Sequence, residues 1–182
     1  GFKGPTGPPP KEARPLTSWG PRKNGMIFKG LKEGAWLEYW EDGTISSITN
    51  YEKGKYEGEY LSYYKNGQLN VKANYIDNKK DGEFIDYYET GQINWKENYK
   101  NGKVDGLSII YHENGNLWYK TNFILGERHG EYLKFNINGK LIEKKIYKKG
   151  NIDGEWFRYN DAGQLIDKKI YNDGVLIKTI KP

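Results

Sequence analysis

Residues 58–75 read GEYLSYYKNGQLNVKANY. Four of the eighteen are tyrosine (Tyr60, Tyr63, Tyr64 and Tyr75), an Asn-Gly pair sits in the middle, and proline, cysteine and histidine are absent. Two aromatic-rich runs on either side of an Asn-Gly are the strongest short-range signal for a β-hairpin, because that pair tolerates the positive φ of a tight turn. One hairpin alone is marginal in water, so the stretch raises the question of what it packs against.

The answer lies 24 residues away in each direction. Glycines recur at 34, 58, 82, 106, 130 and 154, and a second series runs 43, 67, 91, 115, 139 and 163. A third runs 30, 54, 102, 126, 150 and 174, with Asn78 in its one gap. Repeats with a fixed period of this length are the mark of stacked supersecondary units. Numbering each copy from its first glycine, position 6 is Tyr39, Tyr63, Tyr87, Tyr111, Phe135 and Tyr159. Position 12 is Ile45, Leu69, Ile93, Leu117, Leu141 and Leu165, and position 18 is Tyr51, Tyr75, Tyr99, Phe123, Tyr147 and Tyr171. Position 3 holds Trp36, Tyr60, Phe84, Ser108, Tyr132 and Trp156, broken once, at Ser108. Columns filled alike in every copy are expected to build the scaffold.

Each copy is therefore expected to be two strands of about six residues around the Asn-Gly type turn, with a second turn such as KNGKVDG (100–106) leading to the next hairpin. The fold expected is all-β: a single-layer antiparallel meander of tandem 24-residue hairpins, elongated and twisted. Twelve strands at about 4.8 Å would extend roughly 55–60 Å. The organisation expected is a Pro/Gly-rich extended or disordered arm over 1–25, a partial repeat or cap over 26–33, six repeats over 34–177 and a tail over 178–182. Two readings of the arm stay open, a processed terminus or a leader added ahead of the repeats.

The stretches GEYLSYYKNGQL (58–69), GEFIDYYETGQI (82–93), GERHGEYLKFNINGKL (126–141) and GEWFRYNDAGQL (154–165) resemble the MORN repeat, and more closely its bacterial variant, over residues 25–177. That resemblance implies a hairpin-repeat sheet used as a binding scaffold, which takes proteins or peptides along an aromatic groove. Lipid binding is proposed for some members, and bacterial proteins of this kind are often YwqK-like antitoxins. The residues themselves offer no catalytic constellation, so neither an enzyme nor a cofactor is expected.

Composition agrees with a β scaffold and narrows the partner classes. Apolar residues are 36% and aromatics 15% of the chain, a balance that favours strands. No run is long enough to cross a bilayer as a helix, and without cysteine there is neither a disulfide frame nor a thiolate metal site. The compartment stays open. The net charge of +5 comes from residues 1–33, where seven Lys/Arg face only Glu12 and Glu33. Residues 34–182 carry 22 charges of each sign, which disfavours nucleic acid, since phosphate binding needs an excess of cations. A membrane surface remains the alternative, aided by the basic N-terminal region. Within the repeats, residues 34–105 are net acidic and 106–182 net basic, a gradient that either steers a partner or favours head-to-tail homo-oligomers.

Chemistry is not legible. His112 and His129 belong to no metal spacing, and both read as structural or solvent-facing, His129 in a turn. Asp81, Asp105 and Asp153 precede repeat glycines and are expected along one rim, as polar turn residues rather than a cation ladder. With Asn-Gly taken as a two-residue turn, positions 3, 5, 7, 12, 14, 16 and 18 share one face and 4, 6, 13, 15 and 17 the other. Columns that drift are the site candidates. Position 7 runs Trp40, Tyr64, Tyr88, His112, Asn136, Asn160, and position 14 runs Ser47, Val71, Trp95, Tyr119, Glu143, Asp167. Trp40, Tyr64, Tyr88, Trp95 and Tyr119 are thus the expected partner-binding patch. Ile142, Ile146, Ile166 and Ile170 are expected on the opposite face. Packing of the patch against the arm (through Leu16 and Trp19) or a second copy is the bland alternative.

Overall fold

A computed structural model of the chain describes residues 25–182. The arm expected over 1–25 lies outside them except for Gly25. All the regular structure is strand, and backbone contacts divide the chain between Ile93 and Asn94 into two units.

The first unit contains β1 (Met26–Phe28), β2 (Leu31–Tyr39), β3 (Ile45–Glu52), β4 (Lys55–Tyr63), β5 (Leu69–Ile76), β6 (Lys79–Lys80) and β7 (Gly82–Tyr87). The second contains β8 (Ile93–Lys100), which begins at the boundary, β9 (Lys103–Val104), β10 (Gly106–Tyr111) and β11 (Leu117–Ile124), then β12 (Glu127–Phe135), β13 (Leu141–Lys148), β14 (Asn151–Tyr159), β15 (Leu165–Asn172) and β16 (Val175–Ile180). Within each unit strands pair antiparallel in chain order, with β6 and β9 as short pieces beside β5 and β8. The expected cap is the hairpin of β1 with β2, and β16 carries regular structure to Ile180, into the segment expected as a tail.

The two turn types are the reverse of the expectation. At Lys65-Asn66-Gly67 the loop has three residues: Tyr64 N–H donates to the Gln68 carbonyl and Gly67 N–H to that of Tyr64, both at 2.9 Å. Only Gly67 has positive φ (82°), the pattern of a type I turn closed by a glycine bulge. The two-residue turn with positive φ at both positions lies at the other end of the hairpin, as at Lys53-Gly54 (51° and 78°), where Glu52 pairs with Lys55. Hence strands reach eight or nine residues where six were expected, and the KNGKVDG segment is only a tight turn at Asn101-Gly102 before pairing resumes at Lys103.

The glycine that opens each copy is accordingly no turn residue. Between the pairs Tyr51–Tyr56 and Thr49–Tyr60, strand β4 has Glu57, Gly58 and Glu59 against the single Asn50. Asn50 Nδ2 closes the gap by donating to the Glu59 carbonyl, at 2.6 Å. Asn74 and Asn98, one and two copies on, donate instead to the carbonyl before the glycine, that of Asp81 and of Asp105.

A second irregularity decides the faces. Tyr63 pairs with Leu69 but Ser62 with Val71, so Asn70 is an extra residue, and the same shift recurs in the first, fourth, fifth and sixth copies. Position 12 therefore joins positions 4 and 6, not position 14 as expected. In the first unit Ile45, Ile48 and Tyr63 form a buried cluster with Ala35, Leu37, Tyr39, Leu61 and Leu69 packed on it. Position 13 moves as well: Ile142 and Ile166 line one recess with Lys134, Glu143, Trp156 and Arg158, so they lie with positions 3, 5 and 14 and not opposite them. A bulge inserts one residue, and one residue is enough to exchange faces.

Candidate partner-binding face

One face carries aliphatic side chains with the position-6 rings, and the other is built of rings and charges. The buried polar side chains among the described residues are Ser47, Thr49, Ser62, Glu97, Ser108, Thr121 and Asp167. All seven occupy positions 3, 5, 14 and 16, on the aromatic face. A polar floor between aromatic walls is unlike a core, where such groups cost free energy unless hydrogen-bonded.

In the first unit the walls are a run of edge-on rings: Trp36 to Tyr51 (6.2 Å between centroids), Tyr51 to Tyr56 (5.0 Å), Tyr56 to Tyr75 (5.4 Å) and Tyr75 to Tyr60 (6.3 Å). This spacing is the favourable T-shaped arrangement. Lys32 stands over Trp36 and Tyr51, at 4.4 and 4.7 Å. Burial pushes the Tyr75 hydroxyl above its ordinary pKa, with Tyr60 and Tyr56 adding to the effect.

The second unit interleaves charge more deeply. Tyr132 lies 5.9 Å from Tyr119 and 6.1 Å from Tyr147, and its burial, with Glu143 nearby, raises its hydroxyl pKa strongly. Lys145 Nζ stands 4.5 Å from the Tyr132 centroid and 4.8 Å from that of Trp156, and donates to Glu143 at 2.9 Å. Asp167 accepts from Arg158 Nε at 2.7 Å and pairs with its Nη2. That guanidinium holds the carboxyl below its usual range.

The five residues expected as a patch fall in different settings. Trp95 and Tyr119 line one recess of the second unit, with Glu97, Ser108, Thr121 and Arg128. Trp40, Tyr64 and Tyr88 belong to the first unit and stand at the hairpin ends. Tyr64 donates its hydroxyl to the Tyr87 carbonyl one copy on, at 2.7 Å, and burial raises its pKa. Lys65 Nζ sits 5.7 Å from the Trp40 ring. Tyr88 contributes its backbone to the next turn, through bonds to Gln92 and Gly91. His112 repeats the Tyr64 arrangement, its Nε2 3.3 Å from the Phe135 carbonyl and its ring stacked on Trp118. At Tyr64 and His112, position 7 is thus a rung between copies.

The rim carboxylates are also rungs. Asp105 accepts from Leu125 N–H at 3.0 Å and Asp153 from Asp173 N–H at 3.1 Å, each across to the next tight turn. Glu33 and Glu57 serve Lys53 and Asp77 in the same way. His129 takes this position in the fourth copy and stands in β12 rather than in a turn. The sequence reading missed Glu97, Thr121 and Arg128 as site residues. The available signals were Ser108, which breaks an aromatic column, and Glu97, the one acid in the position-16 column Thr49, Ala73, Glu97, Thr121, Lys145, Lys169.

Fold and face together define a single-layer β-hairpin repeat scaffold. Residues 32–53, 56–77, 80–101, 104–124 and 128–149 match the family described as MORN repeat variant. These matches cover more than half of the chain, which therefore belongs to that family. The sixth copy, from Gly154, lies past the last match and keeps the same hairpin and bulge. A search of curated proteins gave no match. MORN repeats generally serve as protein- or membrane-interacting modules rather than as enzymes. No helix among the described residues is long and apolar enough to cross a membrane.

Proposed function

We propose that this chain is a non-catalytic scaffold that binds a protein or peptide partner along its aromatic face. The observation that carries the reading is the segregation of every buried polar side chain described to that face, between rings, with no second layer among the described residues covering it. Exposed aromatic surface of this composition is the usual chemistry of protein interfaces. An antitoxin-like or adhesion-associated role is the finer reading that the resemblance supports. The test is capture of partners by wild type and by a Trp95→Ser/Tyr119→Ser variant of equal β-sheet circular dichroism. Loss of a reproducible partner is expected; identical capture refutes the assignment of the face.

A membrane-surface role rests on the cations of residues 1–33. Flotation with anionic liposomes, with and without residues 1–25, separates the two readings, and dependence on both the arm and anionic lipid would favour the membrane.

A further inference from the structure

The position-3 column is aromatic in every copy but the fourth, where it is Ser108. The missing ring leaves a recess of about 410 Å³ in the second unit, walled by Trp95, Tyr119, Phe123 and Tyr132. Its floor is polar. Ser108 Oγ donates to Glu97 Oε1 at 2.8 Å. Glu97 is 5% exposed, and its Oε2 has no hydrogen-bond partner among the described residues; neither has the buried Thr121 Oγ1. A buried carboxylate oxygen left without a donor is costly. Among the described residues the one cation lining the recess, Arg128, lies over Phe123 and Tyr147 and makes no ion pair with Glu97.

Two copies further on, the same column holds the complement. Lys145 occupies position 16, where the third copy has Glu97. Its ammonium is set among Tyr132, Tyr147 and Trp156 and is paired with Glu143. The chain thus builds an aromatic cage with a carboxylate and fills it with its own lysine. Around Glu97 it builds the rings and the carboxylate and, among the described residues, supplies no ammonium.

We infer that the Glu97 recess binds a primary alkylammonium group, the lysine side chain of a partner. The rings contribute cation–π attraction, and Glu97 Oε2 accepts the charge-assisted hydrogen bond it lacks. A quaternary ammonium fits the rings but has no N–H for that oxygen, so the site is expected to discriminate against choline. Glu97 Oε2 has almost no exposed surface, so entry requires a rotamer change of Glu97 or of a wall ring, which is fast compared with binding measurements. The proposal deepens the reading of this face as a partner surface, and its test uses small molecules so that the two fail separately.

The test is titration of the full chain with Nα-acetyl-lysinamide, n-butylammonium, choline and 1-butanol, followed by tryptophan fluorescence and by NMR of the Trp95 indole N–H. Saturable binding of the two primary ammonium compounds is expected, with choline and butanol weaker by about tenfold or more, the loss of one charged hydrogen bond. Glu97→Gln and Ser108→Tyr, which restores the column's ring, should each weaken it by a similar factor, and Arg128→Gln should tighten it. Ser108→Tyr keeps the test decisive if Glu97→Gln fails to fold. Equal binding of butanol, equal binding of choline, or unchanged binding by Ser108→Tyr would each overturn the proposal, whatever the capture experiment on the whole face gives.

Discussion

Tyr64→Phe is the substitution that best separates a scaffold role from a binding role. It deletes one oxygen and leaves the ring in place. That oxygen donates to the Tyr87 carbonyl at 2.7 Å, bridging residues 23 apart in sequence. A hydrogen bond of this kind contributes about 0.5–1.5 kcal/mol net, and for a chain of this size 1 kcal/mol corresponds to roughly 2–4 °C in melting temperature. Thermal and urea unfolding at pH 7 should show a loss of about 1 kcal/mol. The pH profile supplies a second readout. The folded pKa of Tyr64 is raised by burial, then by Asp86 and Glu89, so folding favours the neutral hydroxyl. Its contribution is complete below the unfolded pKa of about 10 and is lost as pH rises through the folded value. Wild type should lose stability steadily above pH 10, and Tyr64→Phe should lose less of it. A variant as stable as wild type at pH 7, with the same alkaline profile, refutes the rung and returns Tyr64 to the surface of a partner site.

The remaining predictions follow from the other devices of the fold. Asp105→Ala removes the acceptor for Leu125 N–H. Both groups are exposed, so only about 0.5–1 kcal/mol is expected, seen most directly as faster hydrogen exchange of the Leu125 amide; unchanged exchange would count against the capping role. Gly106→Ala puts a Cβ where no atom lies within 4 Å, but at φ +101°. The cost is therefore backbone strain alone, about 1–2 kcal/mol, and a neutral result in urea unfolding would show that the bulge relaxes. Asp167→Asn weakens a pair in which the aspartate side chain is 6% exposed but Arg158 is 40% exposed, so about 1–2 kcal/mol is expected after allowing for screening. Because Asp167 has a depressed folded pKa, its contribution is present above the unfolded value near 4 and is lost as pH falls through the folded one. The variant should flatten the acid limb of the stability profile, and an unaltered limb would be contrary to the assignment.

The 24-residue period, the hairpins and the scaffold columns are legible in the sequence because each is a local or repeated property. Asn66-Gly67 marks a reversal, and Tyr63 and Tyr75 recur because every copy needs them. The family is shown by the five tandem stretches that match the MORN repeat variant, and the aromatic character of the chain is plain from its composition. The faces are another matter. Alternation along a strand is local, but a bulge is defined by what lies across the ladder, so the residue pairing that carries Leu69 to the side of Tyr63 has no signature within one copy. The expected patch was drawn without that shift. Tyr64 reads as a variable surface ring until the carbonyl of Tyr87 is seen 2.7 Å from its hydroxyl. Ser108 reads as a gap in a column, and only packing shows that the gap lies over Glu97 and between Trp95 and Tyr119. The sequence determined the repeating unit, because backbone propensity and periodicity act over a few residues. The tertiary structure decided which side chains share a recess, because that depends on contacts between copies 20 or more residues apart.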